Sequence, residues 1–111
     1  MSGSARLEMS KPTGGHLLHI AVGICVFNDI LAQAKARSIP IDSLRVSVDG
    51  GFAGNQHYVS TGITYDIDID SPVSRDMIDE LIADVIDDAS IPRSIQQGTP
   101  VQLGEVKHSR T

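Results

Sequence analysis

The stretch HLLHIAVGICVFNDILAQAKARSIP, residues 16–40, decides the fold of this chain. Nearly every position in its first half is apolar, and a helix that is apolar all round is normally buried on all sides. The second half becomes amphipathic, and Pro40 ends the pattern because proline cannot continue a helix. The stretch therefore predicts a long, largely buried helix over 16–37, with Thr13 available as its N-terminal cap.

Length and composition limit what the chain can be. A chain of 111 residues is expected to form one domain, spanning 1–111. Only 4% of the residues are aromatic and none is Trp, so the core must be built from small aliphatic side chains. Because such a core is marginal in so short a chain, we expect a partner subunit to complete the burial. The net charge of −5 argues against nucleic acid as a partner.

Targeting and redox features point to a cytoplasmic protein. The N-terminal residues 1–15 are too polar for a secretory signal. The longest apolar run, Leu17 to Phe27, is interrupted by His19 and is too short to span a bilayer, so no membrane partner is expected. The single cysteine excludes a framework of intrachain disulfides. We therefore expect a soluble, cytoplasmic protein.

Alternating apolar and polar residues predict the strands. The segments 42–50 and 62–70 both alternate, which is typical of half-buried strands, and they are expected to form an antiparallel pair. The Gly-rich stretch between them, 50–60, is interpreted as a long loop. Shorter alternations predict a strand at 5–10 and another at 99–106.

A second helix is predicted over 71–89. Ser74 is a suitable N-cap, and an apolar stripe with helical spacing follows it. The stripe comprises Met77, Ile78, Leu81, Ile82, Val85 and Ile86. A break and one helical turn are expected over 90–98, and a frayed tail over 107–111. The element order predicts an α+β fold, in which an antiparallel sheet packs with a long buried central helix and a second, amphipathic helix.

Two stretches carry a resemblance to a known family. These are GGHLLHIAVGICVFNDILAQAKARSIPIDSLRVSVDG (14–50) and RDMIDELIADVIDDASIPRSIQQGTPVQLGEV (75–106). Together with the strand between them, they resemble the OsmC and organic hydroperoxide resistance (Ohr) superfamily over residues 12–106. The resemblance implies an intertwined homodimer, with two central helices packed back to back and an apolar pocket with thiol sites at the subunit interface.

The resemblance also implies a chemistry, from which this sequence departs. In the family, one cysteine attacks a hydroperoxide and a second cysteine resolves the sulfenic acid as a disulfide. Cys25 matches the first cysteine, whereas the position of the second falls near Ala89 or Ser90. Gly15 stands where the family has a glutamate, and Arg6 is the only arginine before the helix. The chain is thus expected to be a shortened, degenerate member with a reduced N-terminal sheet.

Two functional hypotheses follow for Cys25. In the first, its thiol reduces organic hydroperoxides and an external thiol regenerates it. In the second, a degenerate member binds a small apolar molecule or catalyses a non-redox step, such as isomerisation or cyclisation, without peroxidase activity. An inert core cysteine is equally compatible with the sequence, because the apolar surroundings and Asp29, four residues on, both disfavour a thiolate.

Other polar residues are candidates for a pocket. His16 and His19 flank the start of the predicted helix, and His57 and Tyr58 lie in the Gly-rich stretch. Each also has a structural interpretation, as a solvated or partly buried side chain. His19 and Cys25 are separated by about 240° around an ideal helix, so they are not expected on one face.

No metal or cofactor is expected. The acidic run DIDID (66–70) would need Gly at the sixth and Glu at the twelfth position of a calcium loop, where the chain has Ser71 and Met77. The alternating isoleucines explain the run as a strand with an acidic exposed face. Zinc, P-loop and dinucleotide patterns are absent from the sequence.

Overall fold

The computed structural model describes residues 5–108. Its elements, in chain order, are helix α1 (Gly14–Ala36), strand β1 (Ser43–Ala53), strand β2 (Val59–Asp70), helix α2 (Arg75–Asp88) and helix α3 (Ser90–Gln96). The predicted α+β class is confirmed, as are both long helices and the strand pair. The predicted tail 107–111 lies largely outside the described residues.

Helix α1 begins and ends with local signals that the sequence carries. The Thr13 hydroxyl accepts a hydrogen bond from the backbone N–H of His16 at 3.2 Å, as expected of an N-cap. At the other end Ser38 adopts a left-handed φ of 55°. The backbone N–H of Ile39 then donates to the carbonyl of Ala34 at 2.8 Å, which closes a Schellman motif. Ile39 is buried, so the turn is anchored in the core.

Strands β1 and β2 form a two-stranded antiparallel hairpin. Apolar pairs such as Leu44 with Ile69 and Val46 with Ile67 alternate with polar pairs, so the inner face packs against the helices. The expected loop over 50–60 is wrong in extent, because β1 continues to Ala53 through a register shift and only 54–58 remain outside the strands. A bulge lets a Gly-rich stretch stay paired without keeping strict alternation.

Helix α2 is amphipathic, as its sequence predicts. The Ser74 hydroxyl caps it by accepting a hydrogen bond from the N–H of Met77 at 3.3 Å. Three residues of the predicted stripe are buried, namely Ile78, Leu81 and Val85. Met77 and Ile86, at the edges of the stripe, are 43% and 47% exposed. The buried face of α2 is therefore narrower than the stripe.

The core lies around α1, which packs against the hairpin on one face and against α2 and α3 on another. Helix α1 contacts β1, α2 and α3. The cluster of buried apolar side chains comprises Val26, Ile30, Ala34, Ile39, Ile78, Leu81, Val85 and Ala89. Within α1 this cluster takes Val26, Ile30 and Ala34, which are spaced four residues apart and form one face from the middle of the helix to its last turn.

The apolar first half of α1 leaves much of its surface exposed within one chain. Leu17 and Ile24, seven residues apart on one helix face, are 50% and 41% exposed. In the most apolar 18-residue window of α1, only 22% of the residues are buried. The expectation that the apolar run is too short for a membrane helix therefore does not apply to α1 as a whole. Its 23 residues together are long and apolar enough to cross a membrane. Core helices of soluble proteins meet the same criterion.

The terminal segments differ from the prediction. No strand forms at 5–10 or at 99–106 in the described chain, because neither segment hydrogen-bonds to an edge of the hairpin. Val101 and Leu103 are 94% and 84% exposed. The Cα radius of gyration is 17.6 Å, whereas a compact domain of this length has about 13 Å. The described chain is therefore more extended than a self-contained domain.

Candidate functional site

Cys25 is half-buried on α1 and faces the start of α3. Its Sγ lies 3.9 Å from Oδ2 of Asp29, one turn further along the helix. Its other polar neighbour is the Ser90 hydroxyl, with Sγ and Oγ 4.0 Å apart. Contacts this long are weak, so they orient the thiol without immobilising it.

Ser90 is, with Ala89, one of the two residues near which the position of the family's second cysteine was predicted to fall. Of the two, Ser90 has its side chain next to Cys25, although the two residues are 65 positions apart. A serine hydroxyl cannot form a disulfide, so an oxidised Cys25 would meet a hydrogen-bonding group where a resolving thiol would stand. The site therefore holds one thiol, one hydroxyl and one carboxylate.

Two arginines on the helices that carry Cys25 and Ser90 have other partners. Arg37 at the end of α1 forms an ion pair with Asp84 of α2. Arg93 of α3 donates to the backbone carbonyl of Asp87 at 2.8 Å. Within one chain, the polar contacts described for Cys25 thus come from a carboxylate and a hydroxyl, without a cation to favour the thiolate.

His16 and His19 lie in a different place, at a cleft of about 600 Å³. The cleft lies between the segment before α1, the first turns of α1 and the bulged part of β1. The Thr13 hydroxyl, which caps the helix, also lies 2.6 Å from Nδ1 of His16 and orients that ring. Apolar walls come from Met9, Ile20 and Val48.

The His19 ring stacks on Phe52, with ring centroids 5.7 Å apart and planes at 17°. Two glycines make room for this pair. A Cβ at Gly15 would lie 2.6 Å from Cε2 of Phe52, and a Cβ at Gly50 would lie 2.6 Å from Nε2 of His19. The position where the family has a glutamate is thus occupied by a glycine over which an aromatic ring lies.

His19 also carries an unsatisfied polar atom. Its Nε2 is buried and has no hydrogen-bond partner among residues 5–108. Leaving a buried polar atom without a partner costs about 1–3 kcal/mol, so such an atom in a cleft wall calls for a physical explanation.

The remaining candidates stand apart from both groups. His57 and Tyr58 lie in the hairpin loop, both exposed, and neither lines the cleft. Among the described residues, no three His, Cys, Asp or Glu side chains lie close enough together to hold a metal ion. The sequence candidates therefore separate into the thiol with Asp29, the histidine pair, and the loop residues.

Phe52 and Gly50 belong to the cleft but were not predicted from the sequence. Their contacts depend on how β1 crosses the start of α1, which local patterns do not specify. The available signal was the stretch DGGF, 49–52, in which two glycines precede an exposed aromatic residue. Glycine inside a strand marks a bulge or a close approach of another group, and here both occur.

The fold was compared with solved structures. An OsmC-like protein from Mycoplasma pneumoniae is similar with a TM-score of 0.68 and 24% identity, over 78% of this chain and 62% of that protein. An OsmC-like hydroperoxide resistance protein from Jannaschia sp. CCS1 is similar with a TM-score of 0.71 and 18% identity, over 92% of this chain and 74% of that one. At these identities the similarity establishes the fold.

A third OsmC-like protein, from Vibrio cholerae, is similar with a TM-score of 0.55 and 11% identity, over 73% of this chain and 56% of that one. The chain spans less than two thirds of the Mycoplasma and Vibrio proteins. No curated protein matches the sequence. The model of the OsmC-like protein family, however, matches residues 7–104, which is nearly the whole chain. The chain therefore belongs to the OsmC-like protein family.

Proposed function

We propose that this protein reduces organic hydroperoxides through Cys25 and that an external thiol regenerates it. The observation that carries the proposal is the environment of Cys25, whose half-buried Sγ lies 4.0 Å from the hydroxyl of Ser90. Membership of the OsmC-like family and the fold shared with a hydroperoxide resistance protein support the same chemistry.

The reaction divides into three balanced steps. The Cys25 thiolate attacks the distal peroxide oxygen, the O–O bond breaks, and the leaving alkoxide takes a proton to become an alcohol. An external thiol then condenses with the sulfenic acid, forming a mixed disulfide and water. A second external thiol attacks that disulfide, which returns the Cys25 thiol and releases the oxidised small disulfide. Ser90 is suited to hydrogen-bond the sulfenic acid and leaves it open to the external thiol.

The proposed active unit is a homodimer in the cytoplasm. The exposed apolar face of α1 around Leu17 and Ile24 supports this proposal, because a second copy of α1 would remove that face from water. A bilayer is a poorer environment for α1, since Asp29 would place a charge within the hydrocarbon. The pocket for the apolar part of the hydroperoxide is proposed at this dimer interface.

A second candidate function is supported by the carboxylate beside the thiol. Oδ2 of Asp29 lies 3.9 Å from Sγ of Cys25 and accepts a weak hydrogen bond from the thiol. A member in which Cys25 is inert would bind a small apolar molecule, or catalyse an isomerisation or cyclisation, without consuming peroxide.

Peroxide turnover separates the two candidates. The wild-type protein should consume cumene hydroperoxide in the presence of dithiothreitol, whereas the Cys25→Ala variant should leave only the background reaction of the reductant. The Cys25→Ser variant is the matched control for shape, because it keeps a hydroxyl in place of the thiol and should be equally inactive. Equal rates for the wild type and Cys25→Ala would exclude the peroxidase proposal and favour the second candidate.

A further inference from the structure

We propose that Asp29 is a catalytic residue of the hydroperoxide reduction, and that its carboxylate takes the proton of the Cys25 thiol and delivers it to the leaving alkoxide. The inference rests on the proposed function and adds to it the route of the proton. Its structural basis is the position of the carboxylate, whose Oδ2 lies 3.9 Å from Sγ of Cys25 in a half-buried place.

The helix itself directs Asp29 toward the thiol. In an α-helix, residues four positions apart share a face, and each Cα–Cβ bond tilts toward the N-terminus. Asp29 follows Cys25 by four residues on α1, so its side chain leans back over the turn that carries the thiol. The thiol donates and the carboxylate accepts, which is the arrangement that a proton transfer from sulfur requires. Such contacts are often long without substrate and shorten when it binds.

The Asp29 carboxylate is not engaged by another side chain. Among residues 5–108, Asp29 forms no ion pair, and its contact with Cys25 is its one side-chain hydrogen bond. Asp84 on α2, by contrast, is paired with Arg37. An ionised carboxylate offers about four lone-pair sites, so Asp29 can face the thiol and a bound peroxide at the same time.

The reaction needs one group that first accepts a proton and then releases it. Cys25 has two polar neighbours in the described chain, Asp29 and Ser90. The Ser90 hydroxyl can donate and accept hydrogen bonds, but it is not a titratable group and cannot hold the proton between the two transfers. Asp29 is therefore the neighbour that can carry the proton from sulfur to the alkoxide.

The proposed step accounts for the proton and for the electrons. The proton on Sγ moves to the Asp29 carboxylate while sulfur attacks the distal peroxide oxygen, so the S–O bond forms and the O–O bond breaks. Sulfur loses two electrons, which leave with the proximal oxygen as an alkoxide. Asp29 then gives its proton to that oxygen. The products are the Cys25 sulfenic acid and a neutral alcohol, and Asp29 is again a carboxylate.

The test measures the first oxidation of Cys25 without a reductant, so that regeneration of the thiol does not enter the rate. Cumene hydroperoxide leaves as an alkoxide that needs a proton, whereas peracetic acid leaves as acetate, which does not. The Asp29→Asn variant should react with cumene hydroperoxide about a hundredfold more slowly than the wild type, as is typical for loss of a general acid–base group. The ratio of the cumene hydroperoxide rate to the peracetic acid rate should fall by about tenfold or more. This ratio does not depend on the fraction of the variant that is folded.

Three controls accompany the variant. Asp29→Glu keeps a carboxylate and should react with cumene hydroperoxide within about tenfold of the wild-type rate. Asp66→Asn removes the same charge from the exposed outer face of β2 and should react like the wild type. Alkylation of Cys25 by iodoacetamide releases iodide, which needs no proton, so Asp29→Asn should not slow it.

The outcomes separate this proposal from the proposed function. An unchanged cumene hydroperoxide rate in Asp29→Asn would overturn the role of Asp29 and leave the peroxidase intact. So would a faster rate, which is expected if the carboxylate acts only as a negative charge beside the developing thiolate. Equal loss with both peroxides would also overturn the role, because a damaged site slows both reactions alike. If cumene hydroperoxide does not oxidise Cys25 in the wild type, the proposed function fails and the proton route fails with it.

Discussion

Single residues explain how this chain departs from the chemistry that its family suggests. The sequence identified Cys25 as the thiol and Ser90 as one of two residues at the position of the missing second cysteine. It could not show that the two side chains approach each other, because that contact joins residues 65 positions apart. The cleft was harder still to predict, since the ring of Phe52 fills the space that Gly15 leaves only once β1 crosses α1.

Restoring the second cysteine should restore an internal disulfide. The Ser90→Cys variant should form a bond with Cys25 after one equivalent of cumene hydroperoxide, because Sγ and Oγ are 4.0 Å apart and the backbone need move little. Intact mass under non-reducing conditions should show the loss of two hydrogens, and peptide mapping should locate the link. Ser94→Cys, one turn further along α3, is the matched control and should stay unlinked. Equal linkage in both variants would contradict the site geometry.

At the scale of elements, periodicity predicted α2 and both strands because each of these segments buries one face, whereas α1 was predicted from the length of its apolar run and its amphipathic second half. Boundaries followed from caps, as Thr13 and Ser74 show. The Gly-rich part of β1 was misread as a loop, since its pairing is maintained by a bulge that breaks the alternation. Propensity alone cannot indicate that such a stretch stays paired.

The turn that ends α1 offers a test of backbone strain. Ser38 has a φ of 55°, a left-handed conformation that costs a residue with a Cβ about 1 kcal/mol relative to glycine. The Ser38→Gly variant should therefore gain up to about 1 kcal/mol of unfolding free energy. The greater conformational entropy of its unfolded chain offsets part of this gain. Urea denaturation at a fixed protomer concentration measures the gain. Ser38→Ala, which keeps the Cβ, should not be stabilised, and a gain equal to that of Ser38→Gly would contradict the explanation.

At the scale of the whole molecule, one chain does not bury its own apolar surface. Exposed apolar residues occur on the first half of α1 and on the segment 99–106, where a strand was expected. The family match reaches residue 104 and so includes most of that segment. A segment becomes a strand only when the edge of another strand is available for backbone hydrogen bonds. Alternation within 99–106 therefore predicts a tendency to form a strand, but it does not predict whether a pairing edge is present.

A homodimer should account for this surface. Light scattering at micromolar concentration should give twice the chain mass of 11.9 kDa. Ile24→Asp should shift the protein toward the monomer, because it places a charge on the exposed face of α1. Ile86→Asp on α2 is the matched control, since Ile86 is 47% exposed and Ile24 is 41% exposed. A monomeric wild type, or equal dissociation by both variants, would contradict the proposed interface.

The most direct measurement of the central claim is the intact mass of the protein after one equivalent of cumene hydroperoxide, with no reductant present. The proposal predicts a gain of one oxygen atom on Cys25. Dithiothreitol should remove this oxygen, and in a separate sample a sulfenic-acid reagent should label Cys25. It also predicts one equivalent of the corresponding alcohol. Cys25→Ala should gain neither oxygen nor reagent. An unmodified wild-type Cys25 alongside intact hydroperoxide would contradict the claim that this thiol is the reducing group.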